Sequence, residues 1–345
     1  MRGVARWPAF IRQITVRSVR ISALQIAAIA AGYFGVAQIG FFQRIETGNI
    51  YLVWPPIGLA LAALVLWGVR VWPGIMIGAL LVNLASGRSV LFAFLMSLAP
   101  TIGVTGAALI LRARQFRPDV IRLRDLLWLV VAGAGVGALL ISMLAIGSRA
   151  FLGLETSGSV LIRWLLTWIS DAMSVLVVTP FILVVARIRR PFRIRPAQLV
   201  EAVALVAATL VVGFLAITSS TELLFLVFPV LIWAAVRYRL PGAAPTVLMT
   251  TAIIIYGAVG VSGPFADGEF YNNLLMIQLL GASSSLTALT LAVTIGERDR
   301  AHRDMEQAAV QLAGAVDQLD RRLRPRPHIE LHAPDERSGD RPHDT

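Results

Sequence analysis

A handful of side chains in a largely apolar sequence are of types that could hold a small molecule. Asp171 is the most informative of them. It lies near the middle of an apolar stretch, 161–186, where a carboxylate costs roughly 3 kcal/mol unless it is partnered or protonated. Trp164, Trp168 and Asp171 fall at i, i+4 and i+7 and therefore share one helix face. Two readings follow: a group that meets a ligand, or a buried structural hydrogen bond to Asn83, Gln278 or a serine of Ser283-Ser284-Ser285. Trp54-Pro55-Pro56 is the second feature. Proline suits the first turn of a helix, whose N–H groups lack helical partners, so the tripeptide reads as a helix start with an interfacial Trp. It reads equally as extended backbone held below the interface, which would shorten the helix and line a cavity. Asn83, near the end of the following apolar stretch, would form the other wall. The ligand-binding candidates are thus Trp54, Pro55, Pro56, Asn83, Trp168 and Asp171.

Other chemistry is excluded by composition. There is no Cys, so disulfides, thiolate metal sites and Cys nucleophiles are ruled out. The four histidines, His302, His328, His332 and His343, all fall after the apolar region, which leaves no imidazole there for haem or a metal. His302 lacks the setting of a phosphoacceptor. Gly133, Gly135 and Gly137 sit in an apolar run with no strand before them, so they read as helix packing and not as a dinucleotide loop. No nucleophile is paired with a base and no carboxylate pair lies at depth. Neither an enzyme activity nor a cofactor is expected.

The elements that must position these residues are membrane spans. The chain is 57% hydrophobic and 15% charged, against about a quarter charged in soluble domains. Apolar runs at 21–42, 51–69, 72–86, 90–111, 126–147, 161–186, 199–217, 223–236, 243–261 and 273–295 are sized to cross roughly 30 Å of hydrocarbon. The runs 72–86 and 223–236 are short and suit re-entrant or partial crossings, so eight to ten spans are expected. The first run is too long for a signal-peptide core and reads as a retained anchor. All 31 basic residues are Arg. They gather in alternate loops: Arg2 to Arg20, Arg70, Arg112 to Arg124, Arg187 to Arg195, and Arg237 with Arg239. The intervening loops hold only Arg44, Arg88 and Arg149, beside Glu46, Glu155, Glu222, Asp267 and Glu269. Arg163 snorkels from the outer end of its span. The positive-inside rule then places both termini in the cytoplasm. The net charge of +11 is accounted for by topology and anionic lipid, with no nucleic acid among the partners.

From Glu297 to Leu323 the sequence is charged, free of Pro, and apolar at alternating four- and three-residue spacing: Met305, Ala309, Leu312, Val316, Leu319, Leu323. That is the seam of a coiled coil, and it implies a homodimer or a heteromeric signalling partner. Pro325 and Pro327 end the helix, and the remainder is too polar to fold. The expected organisation is a basic cytoplasmic N-terminus over 1–20, an integral membrane domain over 21–296, a coiled-coil helix over 297–324 and a disordered tail over 325–345.

Four stretches carry a resemblance. They are Val53-Trp54-Pro55-Pro56-Ile57-Gly58-Leu59-Ala60-Leu61-Ala62, continuing through Gly68-Val69-Arg70-Val71-Trp72-Pro73-Gly74 to Gly78 and Asn83; Trp168-Ile169-Ser170-Asp171-Ala172 with Val177-Val178-Thr179-Pro180; Phe228-Pro229 through Ala234-Ala235-Val236-Arg237 and Pro241-Gly242-Ala243-Ala244 to Gly263-Pro264-Phe265; and Gln278-Leu279-Leu280 leading to Glu297-Arg298. In this order they resemble the first type of the membrane-associated sensor family, over roughly 25–300. The resemblance implies an input domain of bacterial plasma membranes, about eight spans, of the kind found ahead of histidine kinases and cyclic-di-GMP enzymes. The expected fold is all-α: a polytopic membrane helix bundle followed by a short cytoplasmic coiled-coil helix. The expected function is a signal-input module that passes a ligand or partner signal through its last span, without an output domain of its own. The alternative is a small-solute transporter or channel.

Overall fold

The structure is a computed structural model that describes residues 9–43, 51–154, 160–187, 196–219, 221–259 and 270–323. The Gly263-Pro264-Phe265 motif, the tail 325–345, the first residues of the basic N-terminus, the arginines from 189 to 195, Arg44, Glu46, Glu155, Asp267 and Glu269, and the side chains of Glu222 and Leu323 lie outside the described residues. The described chain is helical, with no strand. In order it forms α1 (Ala9–Phe42), α2 (Pro55–Trp67), α3 (Trp72–Ala85), α4 (Val90–Ala113), α5 (Leu123–Trp128), a π-helical stretch (Leu129–Gly137), α6 (Ala138–Phe151), α7 (Val160–Val185), α8 (Pro196–Thr218), α9 (Val227–Tyr238), α10 (Leu240–Val259) and α11 (Phe270–Leu323).

Among the described residues, seven helical stretches are long and apolar enough to cross a membrane: Ser22–Phe42, Val90–Ala113, Leu123–Phe151, Val160–Val185, Pro196–Thr218, Leu240–Val259 and one within Asn273–Val316. Three shorter apolar helices, Pro55–Trp67, Val69–Ala85 and Leu223–Tyr238, accompany them. The apolar runs of the sequence therefore all become helices, and the short ones stay short. The run 51–69 is shortened as well. Tyr51 to Trp54 are not helical, and α2 starts at Pro55 with both prolines in its first turn. Each reading of Trp54-Pro55-Pro56 describes part of the backbone: the prolines start the helix with Trp54 at its N-cap, and Tyr51 to Val53 ahead of them are irregular. Leu52 and Val53 in that segment are buried.

Buried irregular backbone at membrane depth must find partners within the protein, and it does. The Val53 N–H donates to Gln43 Oε1 at 3.2 Å, and the Leu52 carbonyl accepts from Gln278 Nε2 at 3.4 Å. The prolines have no N–H to satisfy, and the next free amide of the first turn, that of Gly58, donates to Ser174 Oγ at 2.9 Å. Thr179 Oγ1 returns a bond to the Gly58 carbonyl at 3.0 Å. Glycine permits this approach, because a Cβ at 58 would collide with the Ser174 carbonyl.

Helix α7 is the spine. Its Val175 and Leu176 belong to a core built with α1, α2, α3, α4, the π-helical stretch and Ile141 of α6. Its Leu166, Met173, Val177 and Val178 belong to a second core with α9, α10 and α11. Leu52 and Val53 enter that second core too, so the irregular segment reaches from the first half into the second. The glycines Gly103 and Gly137 face one another across the crossing of α4 and the π-helical stretch, the packing role expected of small residues between membrane helices.

The chain divides into two compact units, Met1–Arg298 and Asp299–Thr345. In the second unit Met305, Leu312, Val316 and Leu319 are exposed, and His302 pairs with Glu306 at 3.3 Å. In the first unit, at the end of the bundle where α4 leaves and α5 begins, Arg187 pairs with Asp119. There the Leu123 N–H donates to Glu297 Oε2 at 3.1 Å, and the Arg114 guanidinium lies 4.6 Å above the Trp128 ring.

Candidate functional site

A cavity of about 600 Å³ opens among α1, the 51–54 segment, α3, α4, α6 and α7. Cavities of roughly 300–1,000 Å³ are the size that encloses a small organic ligand. It lies at the bundle end carrying the α3–α4 turn (Ser86, Gly87, Arg88) and Arg149 of α6. That is the end opposite Arg112, since α4 runs the length of the bundle between them.

Its base is Asp171, 4% exposed. Asp171 Oδ2 and the neighbouring Ser170 Oγ have no hydrogen-bond partner. None of the partners proposed for Asp171 from the sequence takes that role. Asn83 Nδ2 donates to the Ala79 carbonyl at 2.9 Å, and Gln278 Nε2 to the Leu52 and Leu166 carbonyls. Ser283 donates to the Leu280 carbonyl, and Ser284 and Ser285 to that of Gly281. Each is spent on backbone, because a hydroxyl or amide within a membrane helix finds a carbonyl one turn back before it finds a distant carboxylate.

One wall is aromatic. Tyr51 and Trp54 have ring centroids 4.4 Å apart, and Phe41 meets Trp54 edge-on at 5.6 Å. Tyr33 lines the cavity as well and lies within electrostatic range of Asp171. The mouth carries Arg88, Arg149 and Arg163, with the Arg88 guanidinium 5.0 Å above the Phe92 ring.

Of the six candidates from the sequence, Trp54, Asn83 and Asp171 line this cavity. Pro55 and Pro56 do not; they set where α2 begins, and through that the position of Trp54. Trp168 does not line it either. Its Nε1 donates to the Gly135 carbonyl at 3.3 Å and its ring stacks on Trp164. The π-helical stretch widens the turn and exposes such a carbonyl to a neighbouring donor, so Trp168 holds α7 against it.

The match with known proteins follows this architecture. The MASE1 family profile matches residues 25–299, which takes in every residue of the cavity. The chain belongs to the MASE1 family. MASE1 domains are membrane sensor domains, and this one is a multi-pass, all-helical membrane protein. No curated protein and no solved structure matches the chain.

Several cavity residues of this MASE1 domain are not singled out by its sequence: Tyr33, Tyr51, Arg88, Arg149 and Ser170. A Tyr or Ser in an apolar helix is ordinary, and an Arg in a short loop is a topology marker. Only Asp171 carries a signal by itself, as a lone carboxylate at depth.

Proposed function

We propose that this MASE1 domain is a non-catalytic sensory module of the bacterial plasma membrane, with both termini cytoplasmic, in which occupancy of the cavity shifts α11. The observation that carries this reading is the Gln278 amide. It is fully buried and donates to Leu166 O at 3.1 Å and to Leu52 O at 3.4 Å. Leu52 stands between two cavity residues, Tyr51 and Trp54, and Leu166 between Arg163 and Thr167. Any shift of the 51–54 segment or of α7 on ligand binding therefore changes the seat of Gln278 on α11. A ligand moves such an equilibrium only by its difference in affinity for the two states, and a hydrogen-bonded bridge with two acceptors offers two discrete arrangements.

The output is read from the helix 297–323 through the seam Met305, Ala309, Leu312, Val316, Leu319 and Leu323, paired with a second copy or a signalling partner. Support comes from the four large apolar seam residues Met305, Leu312, Val316 and Leu319 standing in solvent at heptad spacing. The absence of Cys makes the test direct. In native membranes, Leu312→Cys and Leu319→Cys are expected to form interchain disulfides, and Gln307→Cys, off the seam, is not. Gln278→Leu is expected to change the Leu312→Cys yield. Equal crosslinking at all three positions would sink the seam. Solute flux in reconstituted vesicles, lost on Asp171→Asn, would replace the sensor by a small-solute transporter.

A further inference from the structure

The two ends of the cavity differ in charge. At the base, the Asp171 carboxylate is buried with one oxygen unpartnered, next to an unpartnered Ser170 hydroxyl. A buried carboxyl without a partner is costly to ionise, and a cation brought by a ligand lowers that cost. Tyr33 lies within electrostatic range of Asp171, and Trp54, Phe41 and Tyr51 line the same cavity. Aromatic faces next to a carboxylate are the surroundings in which an organic ammonium is held.

The mouth has the opposite sign, with Arg88, Arg149 and Arg163. On the proposed topology this is the outer side, where Arg is disfavoured in short loops. Arg88 and Arg149 are two of the three arginines in those loops, and both line the cavity. Their placement against the topological bias calls for a role in the cavity. A simple cation would answer Asp171 alone, and a simple anion the rim alone. Arg163 and Asp171 are eight positions apart on α7, roughly 12 Å at the helical rise.

We infer that the cavity takes a small zwitterion with its ammonium end on Asp171 and its anionic end among Arg88, Arg149 and Arg163, an assignment that rests on the proposed sensory role. An extended tripeptide spans about 10 Å and fits the separation.

The test is calorimetric titration of the full chain in lipid nanodiscs with three probes: trialanine, N-acetyl-trialanine and trialanine amide. Trialanine is expected to bind, and removal of either terminal charge to weaken binding about tenfold to a hundredfold, the effect of one charge-assisted hydrogen bond. Asp171→Asn is expected to abolish discrimination against the acetylated probe, and Arg88→Gln to reduce discrimination against the amide. Equal binding of all three probes, or of none, overturns the assignment. Discrimination unchanged in Asp171→Asn overturns it too. The comparison of probes needs no variant, so it holds if Asp171→Asn fails to fold. Calorimetry does not read the helix 297–323. Selective trialanine binding with no change in Leu312→Cys crosslinking would defeat the sensory role and leave the ligand class standing. Crosslinking that responds to Gln278→Leu, without probe discrimination, would do the opposite.

Discussion

At the residue scale, the glycines separate into those that a neighbouring helix needs and those that it does not. Gly58 is clasped from both sides by α7, its N–H by Ser174 and its carbonyl by Thr179. A Cβ there would meet the Ser174 carbonyl and stand 2.7 Å from Val178 Cβ. Backbone cannot move aside as a side-chain tip can, so the two helices must part. Gly58→Ala is expected to destabilise the bundle by about 1–3 kcal/mol. Gly35, in α1, has nothing within 4 Å of the same position. Gly35→Ala is therefore expected to be neutral or stabilising by up to about 1 kcal/mol through helix propensity. Thermal unfolding of the two variants in one detergent checks the pair, and equal losses would refute the packing account. The sequence distinguishes these glycines poorly, since both sit in apolar helical runs. What separates them is a crossing partner more than a hundred residues away, and single-chain periodicity carries no record of it. Asp171 is the converse case. Its misfit with lipid is local, so it is legible without any partner.

At the scale of elements, the irregular 51–54 segment and the continuity of α11 both turn on how much backbone a membrane helix must satisfy. The double proline removes two donors, and the Val53 and Gly58 amides on either side of it are met by Gln43 and Ser174, which makes the irregular lead into α2 tolerable. The sequence holds both readings open because those acceptors lie on other helices. Composition changes sharply at Gly296, between the apolar run that ends at 295 and the charged stretch from 297. The helix itself does not divide there; α11 runs from Phe270 to Leu323, since one glycine costs a helix only about 1 kcal/mol. Just beyond that glycine, Glu297 accepts from the Leu123 N–H and so acts as an external cap on α5. Its loss is expected to cost roughly 0.5–1 kcal/mol locally. Glu297→Ala should speed amide exchange at Leu123 about two- to fivefold, and Glu297→Gln, which keeps an acceptor, should speed it less. Unchanged exchange in Glu297→Ala would remove this tie between the last span and the α4–α5 connection. Two further segments share an order of elements. Short α2 ends at Gly68 (φ 89) ahead of Trp72-Pro73-Gly74, and short α9 at Arg239 (φ 55) ahead of Leu240-Pro241-Gly242.

For the whole molecule, orientation decides whether the cavity meets the outside or the cytoplasm. The span pattern was legible because each helix must satisfy its backbone internally and be apolar over its length, both local properties. Orientation rests on a weaker and summed signal, the Arg bias of short loops. The α4–α5 connection carries Arg112, Arg114, Arg117, Arg122 and Arg124, whereas the turn after α6 carries only Arg149. Each extra Arg near an anionic leaflet adds about 1 kcal/mol of attraction, so the five together outweigh Arg88 and Arg149 at the opposite end. Ala113 and Leu154 are exposed at these two ends and can each carry a single thiol in a chain that has none. On intact spheroplasts, a membrane-impermeant maleimide is expected to label Leu154→Cys and to spare Ala113→Cys. In inverted vesicles the labelling should exchange. The reverse result would turn the cavity toward the cytoplasm. It would also remove the reason for reading Arg88 and Arg149 as placed against the topological bias, leaving them as ordinary inside-facing charges.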